Sequence, residues 1–129
     1  MLPEPNRLHH HSDFSRTVRR GHRTGRRDVV VHAFDRSLDG PALAYGGPRV
    51  GLIVSKSVGS AVTRHLVARR LRHVFGPVVS FVRPEFDIVL RALPSSANAS
   101  SAELERQVRS CVGKLQLDRA GSPESAGLR

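Results

Sequence analysis

Residues 56–75 carry the side chains whose type and spacing point most directly to chemistry. The segment reads KSVGSAVTRHLVARRLRHVF, and His65, Arg69 and Arg72 recur in it at i, i+4 and i+7, so a helix would place them on one face. Guanidinium groups pair with phosphate in a fixed, often bidentate geometry. The spacing therefore predicts a helix that binds a nucleic-acid backbone, with Lys56 at its start.

The opposite face of the same helix is apolar. Val67, Leu71 and Val74 recur at the same spacing, which predicts that this face packs against a protein core. Arg64 and Arg70 flank the apolar side and add to the basic set. An amphipathic helix with this polarity has one side for the fold and one side for a partner.

A solvated basic face without a partner is the alternative interpretation of this helix. Surface helices usually mix both signs of charge and gain ion pairs at i, i+4. No Asp or Glu occurs between Val50 and Pro84, so the arginines have no local acid to pair with. The missing acids favour a polyanionic partner.

Composition agrees with that interpretation. The chain has 129 residues, which suggests a single domain, and 21 Lys+Arg against 11 Asp+Glu give a net charge of +10. This excess predicts affinity for polyanions that weakens with salt. Only Lys56 and Lys114 are lysine, so the other basic residues are arginine. Phosphate recognition and a GC-rich genome both account for that choice, and they stay open here.

The sequence lacks the patterns of a protein active site. No H-E-x-x-H, paired C-x-x-C or phosphate loop occurs. The run His9-His10-His11 fits an exposed polar segment better than a metal site. Cys111, the only cysteine, fits a small core residue. With no apolar run near 18 residues and no secretory signal, we expect no membrane span and a cytoplasmic location.

Periodicity and turn residues predict three helices and three or four strands. Ser12 and Gly21 bound a first helix over residues 13–20, and Ser60 and Gly76-Pro77 bound the basic helix. A capping box at Ser100 opens the last helix. The remaining predictions are a basic loop at 21–27, a strand at 28–35, a brief strand at 42–45, a strand at 49–55 antiparallel to the first, and a strand at 86–92.

This order predicts an α+β fold, a mixed sheet of three to four strands with helices packed mainly against one side. Residues 9–117 form the predicted single RNA-binding domain. Residues 1–8 are predicted to be a flexible arm and residues 118–129 a disordered tail.

The segment at residues 56–75 resembles the signature of the bacterial ribonuclease P protein subunit. The flanks agree in order, with Arg7-Leu8 and Asp13-Phe14 before it and residues 87–91 after it. The signature positions that match are Lys56, Gly59, Ala61, Val62, Arg64, Arg69 and Arg72. Four polar or cationic signature positions are altered, at Ser57, His65, Leu66 and Ala68.

The resemblance implies a role as the protein cofactor of a ribozyme. It implies that the signature helix binds the catalytic RNA and that the RNA cleaves precursor tRNA with Mg²⁺, and it implies no protein partner. It also implies a left-handed β-α-β crossover and a cleft for the single-stranded 5′ leader, lined by Phe14, Val18 and His32. Phe14 and Val18 fit plain core contacts equally well.

Three other functions stay open at this point. A generic small RNA-binding protein would bind RNA without processing it. A DNA-binding regulator would place residues 64–73 in a major groove, but no second helix closely precedes them. A protein-only nuclease would need acidic metal ligands, and Asp28, Asp35 and Asp87 fit turns or ion pairs better.

Overall fold

The computed structural model describes residues 7–40 and 46–117. Within them the predicted α+β fold is confirmed, with a mixed four-stranded sheet. The residues predicted as an arm up to residue 6, as a brief strand at 42–45 and as a tail at 118–129 lie outside this range. In chain order the elements are α1 (His11–Arg20), β1 (His22–Gly25), β2 (Val29–Asp35), β3 (Arg49–Ile53), α2 (Ala61–Val78), β4 (Phe86–Ala92) and α3 (Ser101–Lys114).

The strand order is β1-β2-β4-β3. β2 pairs antiparallel with both β1 and β4, whereas β3 pairs in parallel with β4. The prediction that β3 runs antiparallel beside the first strand is therefore wrong. Parallel neighbours need a long crossover connection, and α2 supplies it between β3 and β4. This β-α-β unit is the one to which the family resemblance assigns a left-handed crossover.

The two faces of the sheet are covered by different helices. The apolar stripes of α2 and α3, including Val67, Leu71 and Leu104, pack with Val31 and Leu90 of the sheet in the main core. α1 lies on the opposite face. The predicted one-sided packing is thus confirmed for α2 and α3, and α1 departs from it.

Two boundary predictions were wrong. Residues 21–27 were predicted to be a loop, but His22–Gly25 pair with β2 as an edge strand. Gly76-Pro77 was predicted to end the basic helix, yet both residues lie inside α2, which continues to Val78. Proline removes one backbone donor, and the burial of Val78, 1% exposed, holds the last turn against the core.

The predicted caps are confirmed at two helices and wrong at a third. Ser60 accepts a hydrogen bond from the N–H of Thr63, and Ser100 forms the predicted capping box with Glu103. α1 starts earlier than predicted, so Ser12 lies inside it and the cap position carries no side-chain hydrogen bond.

Gly21 ends α1 as predicted, because a side chain would not fit at this position. Its φ is −78°, which any residue adopts. A Cβ at this position would collide with the carbonyl oxygens of Thr17 and Ala33. Glycine therefore lets the chain turn from α1 into β1 while touching β2.

Arg7 and Leu8, predicted to end a flexible arm, lie against β3. Arg7 forms a parallel bridge with Val50, and the N–H of Leu8 donates to the carbonyl oxygen of Val50 at 2.9 Å. Leu8 is also buried, at 6% exposure. The domain therefore begins before residue 9.

Asp87 joins three separate parts of the chain through buried ion pairs. This β4 residue is fully buried, and its carboxylate accepts two hydrogen bonds from Arg49, at 2.8 and 2.7 Å, and one from Arg36, at 2.9 Å. Arg16 of α1 donates a further one at 3.2 Å and also pairs with Asp13. This one carboxylate thus links β4 to α1, to the start of β3 and to the turn that follows β2.

Replacing Asp87 with Asn should destabilise the fold strongly. The amide keeps the volume but leaves Arg36, 5% exposed, without its counter-charge. We expect a loss of about 3–5 kcal/mol in the free energy of unfolding, measured by urea denaturation. The control is Glu105→Gln, which removes an exposed i,i+4 pair with Arg109 and should leave the unfolding midpoint almost unchanged. Equal midpoints for the two variants would contradict the role given to Asp87.

Candidate nucleic-acid interface

The exposed face of α2 carries the predicted basic stripe. His65, Arg69 and Arg72 are all exposed, while the apolar stripe behind them is buried. Among the described residues their side chains have no hydrogen-bond or ion-pair partner, and no acidic residue occurs on α2. Three neighbouring side chains of this kind are ready to contact a string of phosphates without first breaking internal contacts.

The other three predicted contacts, in α2 and in the turn before it, differ in exposure and in their partners. Lys56 is exposed in a short 3-10 turn that ends at Gly59, ahead of the helix. Arg64 is half-buried. Arg70 is also half-buried, and its Nη1 donates to the carbonyl oxygen of Ala99 at 2.9 Å. Arg70 therefore ties α2 to the segment before α3, a structural role that the sequence did not reveal.

A groove at the β3 edge of the sheet links α2 to α1. It has a volume of about 430 Å³, and Arg72 and Phe14 lie on it. No acidic residue of the described chain lines it. The full lining is Arg7, Leu8, His9, Phe14, Val50, Gly51, Leu52 and Arg72. Because β3 is an edge strand, this groove makes the basic stripe of α2 continuous with the sheet face that α1 covers.

The predicted cleft residues Phe14, Val18 and His32 lie at different depths. Phe14 is half-buried and packs on Gly51, so closely that a Cβ there would overlap its ring. Val18 lies one turn further along α1 and is 38% exposed. His32 is only 2% exposed. Phe14 and Val18 therefore line an accessible surface, whereas a base cannot stack on His32 as it stands.

His32 is unusual for a buried polar side chain. Neither Nδ1 nor Nε2 has a hydrogen-bond partner. Burial lowers the pKa of His32 below its ordinary value of 6.5, and the positive charges of Arg91 and Arg23 lower it further. The imidazole is therefore neutral near pH 7, with one donor and one acceptor left unused.

Arg23 and Arg91 are candidate contacts that the sequence reasoning missed. Arg23 is exposed opposite His32 in the β1–β2 ladder, and Arg91 is half-buried on β4. Arg23 was missed because its segment was predicted to be a loop. Arg91 could have been found from the sequence, since it is the one cation in the strand sequence FDIVLRA and a cation within an apolar strand needs an anionic partner.

Residues 7–40 and 46–117 contain no group of three or more His, Cys, Asp or Glu side chains arranged to hold a metal ion. Over the same residues, no helix combines the length and apolar character needed to cross a membrane.

The chain is similar to known proteins over nearly its whole length. The ribonuclease P family model matches residues 2–116. The ribonuclease P protein component of Rhodococcus jostii is 60% identical, over 92% of this chain and 93% of that protein. The one from Nocardia farcinica is 55% identical, over 98% and 90%.

The fold is similar to that of a solved relative. The RNase P protein of Staphylococcus aureus superposes with a TM-score of 0.75, over 88% of this chain and 98% of the other, at 22% identity. A family match over nearly the whole chain and relatives above half identity lead to one conclusion. This chain belongs to the ribonuclease P family, as the protein component of that tRNA-processing ribonucleoprotein.

Proposed function

We propose that this chain binds the catalytic RNA of ribonuclease P through α2 and the 5′ leader of precursor tRNA through the α1 face of its sheet. The RNA performs the cleavage with Mg²⁺, and the protein acts as its cofactor in the cytoplasm. The observation that carries the proposal is the exposed stripe of His65, Arg69 and Arg72, which the β3-edge groove joins to Phe14.

The α2 stripe suits a folded RNA backbone. Arg69 and Arg72 lie about one turn apart on a rigid helix, so successive guanidinium groups point to the same side. Their positions are fixed by the buried stripe behind them and by the Arg70 tie to Ala99. Binding of this kind releases counterions and falls steeply with salt.

The α1 face suits a single strand. Phe14 offers a ring for base stacking, which stabilises single-stranded binding by about 1–3 kcal/mol per base. Val18 has no ring and His32 is buried, so stacking depends on Phe14 and the remaining affinity on cations. We therefore propose a leader site with one aromatic contact.

Cleavage of precursor tRNA at low Mg²⁺ tests the proposal directly. A bacterial ribonuclease P RNA should release the leader faster when this protein is present, and the protein alone should release none. The RNA alone at high Mg²⁺ is the control for RNA activity. Cleavage by the protein without RNA, or no stimulation at any protein concentration, would overturn the proposal.

Replacing both Arg69 and Arg72 with Gln should weaken binding to the RNA subunit. The slope of log K against log salt should become shallower by about 0.7–0.9 for each phosphate that the protein no longer neutralises. Arg106→Gln is the matched control, because Arg106 is an exposed arginine of α3 away from the stripe. Filter binding at several salt concentrations measures both. The proposal for α2 fails if the double variant and the control give the same slope.

Replacing Gly51 with Ala should weaken leader binding without unfolding the protein. The new methyl group overlaps the tip of the Phe14 ring, which can rotate away but then loses its position. We expect about tenfold weaker binding of precursor tRNA and unchanged binding of leaderless tRNA. Gly25→Ala is the control, since a Cβ there meets Val30 at 3.7 Å, an ordinary contact. Unchanged leader binding by Gly51→Ala would remove Phe14 from the site.

A further inference from the structure

Two arginines share the sheet face that α1 only partly covers. Across this face one row of paired residues is Gly51, Val89, His32 and Arg23, and Phe14 sits on its Gly51 end. Directly paired residues point to the same side of a sheet, so Arg23 and His32 share this face. The next row is Ile53, Arg91, Val30 and Gly25, and Arg91 shares the face because it lies two residues beyond Val89.

Arg23 and Arg91 have no counter-charge on this face. Neither side chain has a hydrogen-bond or ion-pair partner among the described residues. The paired rows of the sheet place one acidic residue on this face, Asp87, and its oxygens accept from Arg16, Arg36 and Arg49. The charge of Arg23 and Arg91 is therefore available to an anion from outside the protein.

His32 is a second, independent sign of a binding site. It lies directly opposite Arg23 and diagonally across from Arg91, and at 2% exposure both its ring nitrogens lack partners. A buried polar atom without a hydrogen bond destabilises the fold, so proteins rarely keep one without a use. Thr17 of α1, which packs on the same face, also has a buried hydroxyl without a partner.

We propose that Arg23 and Arg91 clamp a backbone phosphate of single-stranded RNA on this face, with His32 as the hydrogen-bonding floor of the site. The inference rests on the proposed function, because the leader is the single strand that this face would receive. It assigns the cationic part of the leader site, which Phe14 alone does not supply. Binding is noncovalent and needs no group beyond the RNA itself.

The spacing suits one phosphate. Neighbouring strands lie about 4.8 Å apart and residues along a strand about 3.3 Å apart, so the two arginines start about 11–12 Å from each other. Each long side chain covers about half of that distance, and His32 starts between them. A phosphate can accept hydrogen bonds from a guanidinium on each side, so one phosphate can bind both arginines.

The arginines are tested by binding of precursor tRNA and leaderless tRNA to the assembled holoenzyme. Arg23→Gln and Arg91→Gln should each weaken precursor binding about tenfold and make the salt slope shallower by at most about 0.7, with leaderless tRNA unaffected. Arg106→Gln is again the control. The clamp is overturned if both variants match the control, or if they weaken the binding of leaderless tRNA equally.

His32→Leu separates a binding role from a structural one. Replacing an unpartnered buried polar ring with an apolar side chain should leave the thermal unfolding midpoint unchanged or raise it. Precursor binding should nevertheless fall several-fold. A lower midpoint would show that His32 serves the fold, and unchanged precursor binding would remove it from the site.

One further measurement distinguishes failure of the clamp from failure of the proposed function. If the wild-type holoenzyme binds precursor and leaderless tRNA equally, the proposed leader site is wrong. The same variants are then compared for binding of a single-stranded RNA oligonucleotide to the full chain alone. Weaker binding by Arg23→Gln and Arg91→Gln than by Arg106→Gln supports the clamp, and equal binding by all three overturns it.

Discussion

The buried carboxylate of Asp87 is the contact on which the arrangement of both proposed RNA surfaces depends. α1 is short and contributes little to the main core, so an interaction outside that core must hold it on its face of the sheet. Asp87 does this with charge, since Arg16, Arg36 and Arg49 reach it from three different segments. Because buried ion pairs tolerate little displacement, α1 acquires a defined position over the sheet, and Phe14 with it.

Local sequence signals predicted the elements of the fold better than their pairing. The stripes of α2, the Ser60 cap and the capping box at Ser100 depend on neighbours within one or two turns, so spacing alone reveals them. Strand pairing depends on contacts distant in sequence, and the parallel partnership of β3 with β4 was missed. Pro77 was misplaced for the same reason, because the burial that keeps it helical comes from the tertiary core.

The candidate site shows the same division between local and tertiary information. His65, Arg69 and Arg72 were found by helical period, and the structure leaves them exposed as predicted. Arg69 and Arg70 are adjacent and chemically identical, yet one faces outward and the other bonds to Ala99. The helical period placed Arg69 on the basic stripe and Arg70 beside the apolar stripe, but the bond to Ala99 depends on how the segment before α3 packs against α2. The family resemblance predicted His32 as a cleft residue, but its residue type could not predict that the side chain is buried.

The Arg7–Val50 bridge has a consequence for how copies of this protein avoid one another. An unprotected edge strand offers free N–H and C=O groups to a second chain and invites aggregation. At the β3 edge, the segment before α1 occupies part of that ladder through Arg7 and Leu8. At the opposite edge β1 is four residues long and carries His22 and Arg23, and short, charged strands make poor templates. The fold thus combines the basic stripe of α2, which we propose binds RNA, with a sheet whose two edges discourage self-association.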